Sequence, residues 1–243
     1  VVKKVHLAWI SPLILVVIFL GWALFSRFDG LAAIHYRFEA PKHSEHHLTL
    51  TIPVKDYREY KERPRPSYEN GLSKNEIAAR VLAKYTAMAT DPGDDAIIYS
   101  LVRQLEDEAH AGGLGELDKV RFVLKFVQSL TYTADNATTP GYLEYPRYPV
   151  ETLFEQGGDC EDTSILLAAI LTEMGYDVAI IFFEGFDHMG LGIYVPEEKM
   201  YGNSWIYQDG RRYWYLDTSG KEPMGWSPKP YDVTPAYLLP VGG

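Results

Sequence analysis

The sequence predicts an α+β fold behind one N-terminal membrane-spanning helix. Three observations carry that prediction. A run of 20 residues without Asp, Glu, Lys or Arg, His6 to Phe25, lies at the start of the chain. Helical signals fill the stretch 73–132 and return at 161–174. Strand-like runs dominate only after 177, and helices followed by strands is the α+β order rather than the alternating α/β one.

The apolar run, "HLAWISPLILVVIFLGWALF", would span about 30 Å as a helix, the thickness of a bilayer core. Trp9 and Trp22 sit near its ends, where amphipathic rings favour the interface. Lys3 and Lys4 precede it, which puts the N-terminus in the cytoplasm and the main domain outside. A cleaved signal peptide would have a shorter apolar region and a small-x-small site, and "ALFSRFDG" offers none. The expected organisation is an anchor over 1–29, an extended lead-in with one strand over 30–70, and the main domain over 71–243.

Net charge is −10, and residues 1–29 contribute +2, so the main body is strongly acidic. No basic stripe interleaved with aromatics occurs, which excludes nucleic acid and anionic lipid as partners of that body. The sequon Asn136-Ala137-Thr138 is compatible with an external location.

In the lead-in, "HLTLTIPV" (47–54) alternates as a half-buried strand does, and "KDYREYKERPRPSYENG" reads as an extended surface connection. Ser73 with Glu76 forms a capping box that starts a helix, "DPGDD" at 91–95 breaks it, and a second helix ends at Gly112-Gly113. "LDKVRFVLKFVQSLTY" (117–132) puts Val120, Val123, Leu124, Val127 and Leu130 on one face. Residues 133–156 read as loop, with Pro140, Pro146 and Pro149. After the apolar helix 161–174 come "DVAIIFF", "MGLGIYV" and a hairpin, "SWIYQDGRRYWYLD", whose Asp209-Gly210 is a two-residue turn signal.

Cys160 is the only cysteine. It stands where Gly157-Gly158 turns into the helix, and the N–H groups and dipole of a helix start stabilise a thiolate. A nucleophilic thiol needs a base and an orienting group. His188 is the one histidine after Cys160, and Asp217 ends the second hairpin strand, so both fall at strand ends. A buried, inert cysteine is the alternative on these grounds alone.

"YPRYPVETLFEQGGDCEDTSILLAAILTEMGYDVAIIFF", with "GFDHMGLGIYV" and "YWYLDTSG", resembles the transglutaminase-like superfamily, over roughly residues 47–230. The likeness is strongest to its membrane-anchored archaeal members. It implies a papain-like core, with a helix bearing the cysteine at its N-terminus packed on an antiparallel sheet. It also implies a catalytic triad of Cys160, His188 and Asp217, in which Cys160 attacks an amide carbonyl, His188 moves the proton and Asp217 fixes the imidazole tautomer. The oxyanion would take the N–H of Cys160 and one further donor, for which Gln128 and Gln156 are candidates. Glu161 and "HMG" stand where many relatives have Trp and "HAW", which leaves acyl transfer to an amine open beside hydrolysis.

No cofactor and no metal are expected. "HSEHH" (His43, His46, His47) lies in a polar turn without an apolar frame, and "DPGDD" lacks the rest of a calcium loop, so Asp91 and Asp94 read as helix caps. Asp159, Glu161 and Asp162 crowd the thiol and would raise its pKa, unless one caps the helix or they hold a substrate cation. The favoured reading is a membrane-anchored, extracytoplasmic cysteine hydrolase acting on a peptide or isopeptide bond, with a protein or peptide as substrate. The alternative is a non-catalytic subunit of a membrane or envelope complex.

Overall fold

The computed structural model describes residues 30–40, 44–65, 73–135, 145–183, 188–195, 202–229 and 236–242. Among them no helix is long and apolar enough to cross a membrane. The run His6 to Phe25, His43 and the sequon at Asn136 lie outside the described residues.

The fold is α+β, with helices around one buried helix and an antiparallel sheet behind it. Strands β1 (Leu31–Ala40) and β2 (Ser44–Pro53) pair along their whole length, and helix α1 (Val54–Glu62) follows directly. Alternation governs this hairpin: Tyr36, Phe38, Leu48, Leu50 and Ile52 turn inward and join the main core. The one strand expected at 47–54 is thus half of a hairpin, and the charged stretch after it is helical. It carries Tyr57, which stacks on Phe154, and Tyr60, which meets Tyr148 edge-on. His46 and His47 belong to β2 rather than to a turn.

Helices α2 (Lys74–Ala89), α3 (Asp95–Ala111) and α4 (Glu116–Val127) come next, α2 behind the expected Ser73–Glu76 capping box. Helix α4 stops at Val127, and Thr131–Tyr132 forms a short strand, β3. Asp94 sits at the N-cap position of α3, yet its carboxylate accepts the Val150 N–H (3.3 Å) and no N–H of α3 itself. Residues 133–156, expected as loop, contain helix α5 (Pro149–Glu155), with proline at its first position.

Strand β4 (Gly157–Gly158) pairs in parallel with β3 and leads into α6 (Cys160–Glu173). From Ile165 to Leu171 every residue of α6 is buried, so the helix runs through the core. Each such Leu or Ile contributes about 1.5–3 kcal/mol by leaving water. The sheet has the order β7-β8-β6-β5-β9, all antiparallel, from β5 (Val178–Phe183), β6 (His188–Tyr194), β7 (Ser204–Ile206), β8 (Arg212–Leu216) and β9 (Ala236–Pro240). Val178, Ile180, Leu191 and Ile193 share the core with α6. On the other face Ile181, Phe183 and Tyr215 form a second cluster, covered by Trp205 from one edge strand and Leu238 from the other.

The β7–β8 turn differs from expectation. Tyr207 and Arg211 still pair (2.9 Å), leaving Gln208, Asp209 and Gly210 as a three-residue loop with Gly210 at φ 89°. That left-handed residue is the one such loops require.

Candidate functional site

The site is built where α6 begins. Gly157 and Gly158 are required by close approach: a Cβ on Gly157 would lie 2.5 Å from the Thr131 carbonyl oxygen, and one on Gly158 2.5 Å from Asp162 Cβ. The two glycines let β3 clip the chain against the helix start. At the helix start Asp162 reaches back to the Asp159 N–H (3.3 Å), so one of the acidic neighbours does serve as a cap.

Cys160 is 8% exposed. Its thiol donates to Glu161 Oε2 (3.3 Å), and the backbone N–H of Met189 lies against the sulfur. The thiol is thus seated beside the first residues of β6. The helix-start stabilisation expected from sequence is outweighed: burial, then the negative charge of Glu161 and Asp159, push the thiol well above its ordinary range.

His188 starts β6, with its Nε2 3.1 Å from the Tyr215 hydroxyl and 3.7 Å from Asp217 Oδ2. Asp217 is buried, and its Oδ1 accepts both the Ser219 N–H (2.9 Å) and the Ser219 hydroxyl (2.7 Å). Burial alone would raise this carboxyl, but the His188 and Ser219 contacts prevail and hold it below its usual value. The structure therefore brings His188 and Asp217 together at the strand ends. It places Cys160 against the residue next to His188.

Gln128 is not available as an oxyanion donor. Its side-chain amide donates to the carbonyls of Asp217 (2.7 Å) and Glu222 (2.9 Å), and its Oε1 accepts from Lys125 Nζ (2.8 Å). Both amide protons are committed to the loop that carries Asp217. Gln128→Leu would take this donor from the buried Asp217 carbonyl and the half-buried Glu222 carbonyl and is expected to cost about 1–3 kcal/mol, read by chemical denaturation. Gln156 is exposed and closes α5 at φ 55°, its carbonyl accepting the Thr131 N–H (3.0 Å).

Arg147, in the segment "EYPRYP", is the largest charge that sequence reading passed over. It is fully buried, and its guanidinium meets Asp162, Asp135 (3.1 Å) and Glu155 (3.1 Å) while its backbone N–H donates to Asp162 (2.6 Å). Tyr145 in the same segment is buried and bonds Glu151 (3.0 Å). The segment packs into the fold, and its arginine ties the chain to the first turn of α6.

The chain matches no protein-family model and no curated protein. Solved structures do match. LapG of Legionella pneumophila, in a calcium-bound form, shares 22% identity over 66% of this chain and 81% of its own, with a TM-score of 0.37. A candidate protease of Parabacteroides distasonis ATCC 8503 shares 16% identity over 78% of this chain and 36% of its own, with a TM-score of 0.39. This chain is similar to both.

The acidic flank of the thiol has its own geometry. Asp135, Asp159 and Glu161 are all buried, with one oxygen of each within 4.8 Å of the others. Asp159 Oδ1 is buried and meets no donor among the described residues. Glu161 is raised by burial and by Asp159 and Asp162, and Asp135 by burial and Asp159. Three hard oxygen donors in an irregular cluster, one of them unpartnered, fit a divalent cation of the calcium type. The sequence expectation of no metal considered only the HSEHH and DPGDD stretches, and Asp135 lies far from the other two acids along the chain, outside any motif. Tyr132, 57% exposed, stands beside the cluster, and burial, then Cys160 and Asp159, lift its phenol to about 12.

Proposed function

We propose that this chain is a cysteine hydrolase of the transglutaminase-like type, acting on peptide or isopeptide bonds. Cys160 is the nucleophile, His188 the proton carrier and Asp217 the anchor of the imidazole. The observation that supports it most is the seating of the Cys160 sulfur on the Met189 N–H, one residue from a histidine whose Nε2 lies 3.7 Å from Asp217 Oδ2. In this reading the thiol proton passes to His188 as sulfur bonds the carbonyl carbon. His188 then returns it to the leaving amine as the C–N bond breaks, and water hydrolyses the thioester. An acid quench after mixing with an activated peptide ester tests it: the intact chain should carry one acyl group, mapped to Cys160. A chain that never gains that mass sinks the proposal. Incorporation of a labelled primary amine into a glutamine-bearing protein would instead mark acyl transfer.

A binding or assembly subunit is the second reading, favoured by the buried thiol and the Glu161 carboxyl that holds it. An unreactive Cys160 in the intact chain would support it. The anchor at 6–25 belongs to both readings, with the domain outside the membrane, and full-length protein should partition with the bilayer after a carbonate wash.

The proposal extends to a cation at Asp135, Asp159 and Glu161. Calcium bound there would neutralise carboxylates that crowd one another beside the thiol. A ligand at a hundredfold its Kd stabilises by about 2.7 kcal/mol. Calcium is therefore expected to raise Tm by several degrees in the wild type, EGTA to reverse the shift, and Asp159→Asn to abolish it. Equal shifts in both proteins would remove the site.

A further inference from the structure

Tyr215 is fully buried on β8, two residues before Asp217, which directly follows the strand. Its hydroxyl stands between the two polar members of the proposed site. It is 3.1 Å from His188 Nε2 and donates to Asp217 Oδ2 at 3.3 Å. The direct separation of His188 and Asp217, 3.7 Å, is beyond a good N–H···O bond.

We propose that Tyr215 is a positioning residue, and that His188 is held by Asp217 through its hydroxyl. The reasoning follows from what a hydroxyl can do. It has one proton and two lone pairs. With the proton given to Asp217, it can only accept from His188, so Nε2 carries the imidazole proton and Nδ1 keeps its lone pair. That tautomer is the one that can take a proton through Nδ1. Asp217 is fixed in turn by Ser219, which binds the opposite oxygen.

The surroundings of the ring serve this placement. Phe183 meets it edge-on at 5.6 Å and Trp205 at 5.5 Å. Gly190, two residues after His188 on β6, is where the ring crosses the strand. A Cβ there would overlap a Tyr215 ring carbon and lie 2.8 Å from its hydroxyl. Gly192, the register partner of Tyr215, keeps the same side of β6 low. Gly190 thus clears a path from β8 to His188 that no larger residue would leave.

This inference rests on the hydrolase reading for its kinetic consequence but not for its structural one, and two readouts separate them. The first is the tautomer of His188 by nitrogen NMR of histidine-labelled protein, assigned by loss of the signal in His188→Gln. The wild type should show the Nε2–H form, and Tyr215→Phe, which keeps the ring, should show a mixture or the other form. Gly190→Ala, which keeps the hydroxyl but displaces it, should do the same. An unchanged Nε2–H form in Tyr215→Phe overturns the proposal, whatever the activity. The second readout is hydrolysis, where Tyr215→Phe should lower kcat about 10- to 100-fold with little change in KM. A wild type without hydrolysis would refute the enzymatic reading while leaving the tautomer result to decide the relay. A kcat equal to wild type in an active enzyme would also overturn it.

Discussion

Cys160→Ala is expected to lower kcat/KM for peptide hydrolysis by at least about 10,000-fold, and His188→Ala by a similar factor, with no additive loss in the double variant. Non-additivity is the informative part, because a nucleophile and its base act as one unit. Neither substitution should cost much stability: the thiol is small, and His188 lies at the end of a strand. Peptide hydrolysis that survives Cys160→Ala would show that the chemistry lies elsewhere. The starting state of the thiol adds a second test. Burial and the Glu161 and Asp159 charges hold it protonated, so cation-free protein should alkylate more slowly than a free cysteine of pKa about 8.5. Glu161→Gln should speed that reaction. Being the only cysteine, Cys160 is read without background.

Arg147→Met is expected to destabilise the fold by about 3–5 kcal/mol near neutral pH. The arginine is fully buried, and its guanidinium is the cation placed against Asp162 and Asp135. Methionine fills much of the same volume but leaves carboxylates in an apolar setting. Asp162 and Asp135 are already raised by burial with the arginine in place, and its loss raises them further. A carboxyl whose folded pKa lies above its unfolded one binds more protons in the folded state, so stability falls as pH rises between the two values. The deficit of Arg147→Met should therefore grow as pH rises past the folded values of these carboxyls, about 8 for Asp162, and shrink below them, where both proteins carry the carboxyls protonated. Urea denaturation at several pH values reads it. A deficit below about 1 kcal/mol at pH 7, or one constant with pH, would contradict the account.

The helices and strands with strong local signals are legible in the sequence. The Ser73–Glu76 capping box starts α2, and the apolar run of α6 is the buried centre of the fold. His188 and Asp217 were picked from order and strand ends, and the structure brings their side chains together. What could not be read was set by contacts distant in sequence. Helix α1 looked like a charged connection because its stabilisation comes from Tyr57 and Tyr60 packing on residues almost a hundred positions later. Gln128 looked like an oxyanion donor by residue type, and only the loop 217–222 folding over it shows where its protons go. Arg147 sat among prolines and tyrosines that masked it, and Asp135 lay in a presumed loop. Tyr215 was visible as an alternating aromatic in "YWYLD", but nothing in that pattern says which residue its hydroxyl reaches.

The crossing of Tyr215 over Gly190 has a consequence for how such chains diverge. Two positions on neighbouring strands share one small volume, so Gly190 cannot gain a side chain in place while Tyr215 keeps its ring where it is. In descendants of this sequence, a side chain at 190 should appear only together with a smaller residue at 215, and a tyrosine at 215 only opposite glycine. Pairwise drift of that kind would preserve the sheet while discarding the hydroxyl. Lineages that took the exchange would then have had to find another hold on the imidazole, or have given up its use.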